Sequence, residues 1–151
     1  MEMSKLLVPM VCAMGVVLLA GCKTPPGPAT VCIGIEDGGT DPAFSEQVRL
    51  AMSERASARG YQPADEGQAV FEVWFTASAK EKAKLDDWFV MEGTAKAYLS
   101  VWTPEDYRHF EKSFTAEGPR KLGKDAATKE LAGPLAAKVF DWAETTSRKG
   151  M

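Results

Sequence analysis

His109 is the one histidine of the chain, and Cys12, Cys22 and Cys32 are its three cysteines. Any imidazole chemistry must therefore run through His109. A serine nucleophile would need that base together with a sharp G-x-S-x-G turn, and the chain has no such turn. A Cys–His pair would have to join Cys32 to His109. A closed zinc site usually takes four Cys, His or carboxylate ligands, which these two residues do not begin to supply. The acidic neighbours Asp86-Asp87 and Glu105-Asp106 fall in turn-like sequence, where carboxylates are solvated, and neither has the spacing of an EF-hand loop. A glycosidase carboxylate pair is a spatial requirement that spacing does not reveal. Gly34, Gly38 and Gly39 sit between a strand and a helix start, the usual place of a phosphate loop. They fit neither G-x-G-x-x-G nor a Gly-Lys-Ser/Thr ending, and Glu36, Asp37 and Asp41 would repel phosphate. The chemistry-bearing residues thus give no catalytic site, no metal site and no cofactor.

Composition narrows the partners. Among 151 residues, 18 basic and 21 acidic side chains leave a net charge of -3, so neither nucleic acid nor a polybasic hold on anionic lipid is expected. Hydrophobic residues make up 45%, enough for one folded core. Part of that fraction is an apolar run from Leu6 to Ala20, introduced by Lys5 and closed by small residues. The run is shorter than the roughly 20 residues that span a bilayer, and it has the layout of a secretory signal.

The run ends in Leu19-Ala20-Gly21-Cys22, which closely resembles the lipobox of bacterial lipoproteins. That resemblance implies a diacylglyceryl group on the Cys22 thiol, cleavage before Cys22 and a multiply acylated terminus. Several acyl chains anchor firmly where one does not. Lys23 in place of Asp after the cysteine implies, by the same resemblance, the periplasmic face of the outer membrane. Cleavage would remove residues 1–21, and with them Cys12. Cys32 would then be the one free thiol, unable to form an intramolecular disulfide and best read as a small buried hydrophobe.

Lys23-Thr24-Pro25-Pro26-Gly27-Pro28 cannot form a regular element, so residues 22–30 read as a lipidated tether. Val31 to Ile35 is a β-branched run and predicts a first strand. Asp41 followed by Pro42 predicts a helix start, with Phe44, Val48, Ala51, Met52 and Arg55 at helical spacing and a stop at Gly60. Phe71, Val73 and Phe75 alternate with Val70, Glu72 and Trp74. Ala95, Ala97, Leu99 and Val101 alternate with Lys96, Tyr98, Ser100 and Trp102. Both are half-buried strand patterns. Ala79 to Asp87 fits either a hairpin connection or a short surface helix, and Trp88 to Met91 can open the strand that continues past Gly93. Tyr107 to Thr115 predicts a returning strand with Phe110 and Phe114 inward. Leu131, Leu135, Val139 and Trp142 predict a last helix, which Gly133-Pro134 must kink or divide. Ser147 to Met151 reads as a polar tail.

The predicted order β-α-β-β-β-α makes an α+β two-layer sandwich, with both helices on one face of a mainly antiparallel or mixed sheet and a single domain over residues 31–146. In element order and setting it resembles small envelope lipoproteins with an anticodon-binding-like or TolB N-terminal-like domain. The helices cover one sheet face, which leaves Trp74, Tyr98 and Trp102, interleaved with Glu72 and Lys96, on the other, either as a partner surface or buried by cross-strand pairing or by the segment Ala79 to Asp87. Tryptophan and tyrosine are favoured interface anchors. The expected function is a lipid-anchored envelope protein with a structural or protein-interaction role. The alternative is a binding or carrier module for a lipid, glycan or peptidoglycan fragment, and an envelope hydrolase comes third.

Overall fold

The computed structural model describes residues 29–150 apart from Gly38, Thr40 and Pro104. The signal segment 1–21, Cys22 and the tether through residue 28 lie outside these residues. The described chain runs β1 (Thr30–Ile35), α1 (Pro42–Ala58), β2 (Gln62–Pro63), β3 (Phe71–Leu85), β4 (Trp88–Trp102), β5 (Tyr107–Glu117), β6 (Lys121–Leu122) and α2 (Lys124–Gly150). The sheet order is β2-β1-β3-β4-β5, with β6 paired to β4 beyond the end of β5. β1 is parallel to β2 and β3, and the remaining pairs are antiparallel. Both helices pack on one face, so the molecule is the two-layer α+β sandwich that the periodicity predicts.

The period-two pattern fixes the faces. Phe71, Val73, Phe75 and Ala77 on β3 and Ala95, Ala97, Leu99 and Val101 on β4 are all buried on the helix side. Small side chains on β4 let the helices settle close. An added Cβ at Gly93 would come within 2.9 Å of Leu131. Against this floor α1 sets Phe44, Val48 and Met52, and α2 sets Leu131, Leu135, Val139 and Phe140, each fully buried. Burying a side chain of this size contributes about 1.5–3 kcal/mol.

The start of α1 is fixed locally and then tied to the sheet. Asp41 Oδ1 accepts from Phe44 N at 3.2 Å, and Pro42 occupies the first turn. β1 ends opposite Phe75, which would leave the next residues of β3 with an open edge. Side chains of the α1 end close it. Buried Ser45 donates to Ala77 O at 3.0 Å and accepts from Ala77 N at 3.2 Å, and Asp41 Oδ2 takes Ala79 N at 3.4 Å.

Two elements, β3 and α2, differ from the sequence expectations, and β2 and β6 are additional to them. Ala79 to Leu85 is neither a loop nor a helix but the continuation of β3, and the connection is the tight Asp86–Asp87 turn, with Asp86 at φ 55. Residues 124–150 form one continuous helix, which removes the divided alternative. Pro134 sits on its exposed side, while Leu131, Ala132, Leu135 and Ala136 are buried against the same sheet on either side of it. Tertiary packing of both halves therefore outweighs the roughly 3 kcal/mol that an interior proline costs. The helix also runs through Ser147, whose buried hydroxyl donates to Glu144 O at 2.8 Å, where a polar tail is expected.

The two helices are locked by charge as well as by core. Arg55 makes a bidentate pair with Asp141, at 2.8 and 2.9 Å, and Arg59 reaches the same carboxylate at 3.1 Å. The Arg55 hydrogen bonds, followed by the charges of Arg55 and Arg59, hold Asp141 below the usual carboxylate range. A lowered folded pKa means that the unfolded chain binds the proton more readily. The stabilisation is therefore present above the unfolded pKa near 4 and is lost as pH falls through the folded value. Asp141 is 44% exposed, so solvent screening limits the effect. Asp141→Asn is expected to cost about 0.5 kcal/mol at neutral pH. Urea midpoints should converge with wild type as pH drops below about 3; a constant gap down to that pH would mean that the pair contributes nothing through charge.

Candidate functional site

The sheet face turned away from the helices carries the five residues that the sequence offers as a partner surface, Glu72, Trp74, Lys96, Tyr98 and Trp102. Cross-strand register aligns Glu72, Ser100 and His109 in one row, Trp74, Tyr98 and Glu111 in the next, and Thr76, Lys96 and Ser113 in a third. Trp102 lies opposite Tyr107 at the end of the strand pair. Lys96 is exposed, Trp102 is 47% exposed, Trp74 and Tyr98 are half-buried, and Glu72 is buried.

The aromatics form two groups. Trp74 lies across Gly34, where an added Cβ would come within 2.3 Å of its ring. Its Nε1 donates to Glu72 Oε1 at 3.3 Å, and Gly67 N donates to the other carboxylate oxygen. Glu72 therefore anchors a loop and orients Trp74 and is not an accessible partner residue. Lys96 Nζ sits 3.1 Å from Glu111 and 5.7 Å from the Tyr98 ring centre. The second group is one that sequence reading only half found. Trp102 stacks on Tyr107 with ring centres 4.0 Å apart, and His109 meets Tyr107 edge-on at 4.5 Å. Counting back in twos from inward Phe110 and Phe114 places Tyr107 and His109 on the outer face, but their meeting with Trp102 needs the hairpin register. Tyr98 and Trp102 stand four positions apart on β4, roughly 14 Å along the strand.

Between Trp74 and the hairpin end the same face becomes a field of hydroxyls. Thr76, Ser78, Thr94, Ser113 and Thr115 line a shallow depression of about 400 Å³. Ser78 and Thr94 share a hydrogen bond at 3.1 Å. A second cleft, of about 470 Å³, follows the outer side of β1 between α1 and the segment Pro63–Glu66, with Trp74 at its wall.

The geometry also places the residues that could do chemistry. Cys32 and His109 stand on β1 and β5, three strands apart in the sheet order and on the order of 14 Å from one another. They are not a pair. Burial pushes the Cys32 thiol up, and the nearby carboxylates of Glu72, Glu66 and Asp65 add to that, so the thiolate is disfavoured. His109 Nδ1 lies 3.2 Å from Ser100 Oγ on the exposed face. Among the described residues its other contact is the Tyr107 ring, so no acid orients the imidazole as a nucleophile–base pair requires. Asp86-Asp87 and Glu105-Asp106 sit in exposed turns. No group of three or more His, Cys, Asp or Glu among the described residues is placed to hold a metal ion. No described helix is long and apolar enough to cross a membrane.

No protein-family model matches the chain, and no curated protein matches it in sequence. Solved structures do. A minor lipoprotein from Acinetobacter baumannii is 8% identical with a TM-score of 0.44, the match covering 81% of this chain and 95% of that one. A hypothetical protein from Chlamydia trachomatis is 9% identical with a TM-score of 0.47, over 80% and 95%. The lipoprotein GNA1162 from Neisseria meningitidis is 12% identical with a TM-score of 0.41, over 78% and 99%. The chain is a small mixed α+β domain similar in arrangement to several bacterial lipoproteins. A likeness this distant transfers neither activity nor partner.

Proposed function

We propose that the protein is a lipid-anchored accessory of the bacterial envelope, cut before Cys22, held through lipid on that residue at the periplasmic face of the outer membrane, and acting by binding another envelope protein. The anchor rests on Leu19-Ala20-Gly21-Cys22 with its preceding apolar run. The binding role rests on one observation above others: a sheet face that no helix covers among the described residues, which exposes Trp102 and half-exposes Trp74 and Tyr98 among charged and hydroxyl side chains. Large amphipathic side chains at such a face gain more from a protein partner than from water.

Chain direction adds to this reading. The described chain enters at Thr30, at the end of the sheet that carries Phe71, Val101, Trp102 and Tyr107. The β3–β4 turn lies at the opposite end, about 45 Å away at the usual rise per residue. The eight residues 22–29 before β1 extend at most about 29 Å. The Trp102 group would thus face the membrane-proximal side and the hairpin tip would reach outward.

Two measurements test the proposal. Cys22→Ala should move the protein from the membrane to the soluble fraction. Envelope cross-linking followed by affinity purification should recover a specific protein with wild type. That protein should be lost with the Trp74→Ala, Tyr98→Ala, Trp102→Ala variant, provided its far-ultraviolet dichroism remains native. Recovery of the same material with both chains would overturn the aromatic-face reading, and co-purification of a glycan or lipid alone would replace it with a carrier role.

A further inference from the structure

β1 reads Thr-Val-Cys-Ile-Gly-Ile, without a charged side chain. Its inner side pairs with β3 over Val31 to Ile35. On its outer side β2 reaches only Thr30 and Val31. The hydrogen bonds show which residues point which way. Thr30 O accepts from Val70 N and Phe75 O accepts from Glu36 N toward β3, whereas Ala29 O and Val31 O accept from Gln62 N and Ala64 N on the outer side. Strand alternation then directs the N–H and C=O groups of Ile33 and Ile35 outward. Among the described residues no strand pairs with them there. Unpaired strand edges of this kind are templates for another strand, and proteins usually blunt them with charge.

The opposite edge is blunted in that way. β5 carries Arg108, Glu111 and Lys112, and Lys138 Nζ donates to Thr115 O at 2.8 Å. The β1 edge opens instead into the 470 Å³ cleft, whose two walls differ. On the helix side are Val31, Ile33, Ala56 and Ser53, an apolar to weakly polar wall. On the open-face side are Trp74, Asp65 and Glu66. Arg49 lines the cleft too, but Glu46 holds its guanidinium at 2.8 Å, so its charge is offset.

We infer that the β1 edge binds an extended peptide of another protein, added as a strand beside Ile33–Ile35, with alternating apolar and basic side chains. Main-chain bonds to Ile33 and Ile35 supply affinity, and the two walls read alternate side chains. Apolar ones enter the space between β1 and α1, and Lys or Arg meets Asp65 and Glu66. A second copy of this chain fits less well. Its β1 has no cation to offer, and an antiparallel pairing centred on Gly34 would set Glu36 and Asp37 of one copy against Asp65 and Glu66 of the other. The assignment is independent of the lipid anchor and of the Tyr98 and Trp102 surface.

The test uses the full chain in detergent and short blocked peptides of alternating valine and lysine. Controls are the same peptide with glutamate for lysine, and one of equal composition with the alternation scrambled. Saturable binding is expected for the alternating basic peptide, with slowed amide exchange at Ile33 and Ile35. Asp65→Lys with Glu66→Lys, on an exposed segment, should weaken it by about tenfold or more and shift preference to the acidic peptide. Ile33→Pro removes an outward N–H without touching the β3 ladder and should abolish binding of the alternating basic peptide. Equal binding of the scrambled peptide, or indifference to the charge reversal, would overturn the assignment. So would a dimer that forms without peptide and is lost with Ile33→Pro, because the edge would then belong to a second copy. None of these substitutions alters Tyr98, Trp102 or Cys22, and a Tyr98→Ala, Trp102→Ala variant that keeps Trp74 should retain peptide binding, so loss of peptide binding and loss of the envelope partner are separable.

Discussion

Phe140→Ala is expected to cost about 3–5 kcal/mol, the range for deleting a fully buried aromatic ring. Phe140 is fully buried and is the point where α2, the sheet and the chain leaving α1 meet. Its ring centre lies 5.6 Å from that of Tyr61, edge-on, and 6.2 Å from that of Phe71. Tyr61 and Phe71 meet edge-on at 5.6 Å and complete the triangle. The Tyr61 hydroxyl is in turn fixed at 2.8 Å from Glu144 on α2. Emptying the Phe140 position removes contacts to two rings and leaves a void that two helices and a sheet cannot close without moving. A domain of this size holds only about 5–15 kcal/mol, so the variant should lose roughly 10–20 °C in Tm. Phe140→Leu keeps most of the volume and should cost about 1–2 kcal/mol. Urea denaturation of the three chains measures the series. A loss below about 1 kcal/mol for alanine would show that the triangle is not part of the cooperative core.

That triangle also shows where sequence reading succeeds and stops. The face of Phe71 follows from its alternation with Val73 and Phe75, and the first helix follows from Asp41, Pro42 and the stop at Gly60, because each signal is local. Tyr61 reads only as part of a return toward the sheet, since its partners are ten and more residues away. The same limit explains Ala79 to Leu85. Ala, Lys and Glu favour a helix by propensity, and the segment extends past the helices, so neither face carries the apolar half of a strand pattern. Pairing with β4 decides it, through register from Ala79↔Gly93 to Leu85↔Trp88. β2 and β6 are too short for any period to show.

The candidate surface was legible to the same extent. Alternation along β3 and β4 correctly places Trp74, Tyr98, Lys96, Glu72 and Trp102 on one face, because a pleat needs no knowledge of the partner strand. How they group is a matter of register. Trp102 joins Tyr107 and His109 from β5, while Glu72 turns inward to Gly67 and Trp74. The cleft beside β1 could not be read at all. It is assembled from α1, β1, the segment after β2 and Trp74, and only the early end of β2 makes it an opening.

Gly34 ties that cleft to the aromatic face, and it supplies the second large expected effect. In register Gly34 stands beside Trp74, and the indole lies across it so closely that an added Cβ would meet three ring carbons at 2.3, 2.5 and 2.7 Å. Real structures do not hold such contacts, so Gly34→Ala must displace the ring. The displaced indole gives up its packing on β1 and its 3.3 Å bond to Glu72. Overpacking of this kind costs about 1–3 kcal/mol. Trp74→Ala alone should also destabilise, through lost burial. The double variant decides between a steric cause and general weakness of a β1 glycine: with the indole gone, the new methyl has room and can cover part of the exposed strand. Its cost should therefore fall short of the sum of the two singles by about 1–2 kcal/mol, the size expected for groups in direct contact. Simple additivity in urea midpoints would place the Trp74 ring away from β1. It would remove one wall of the peptide cleft, because a ring that does not rest on Gly34 cannot stand beside the path of a strand added at Ile33–Ile35.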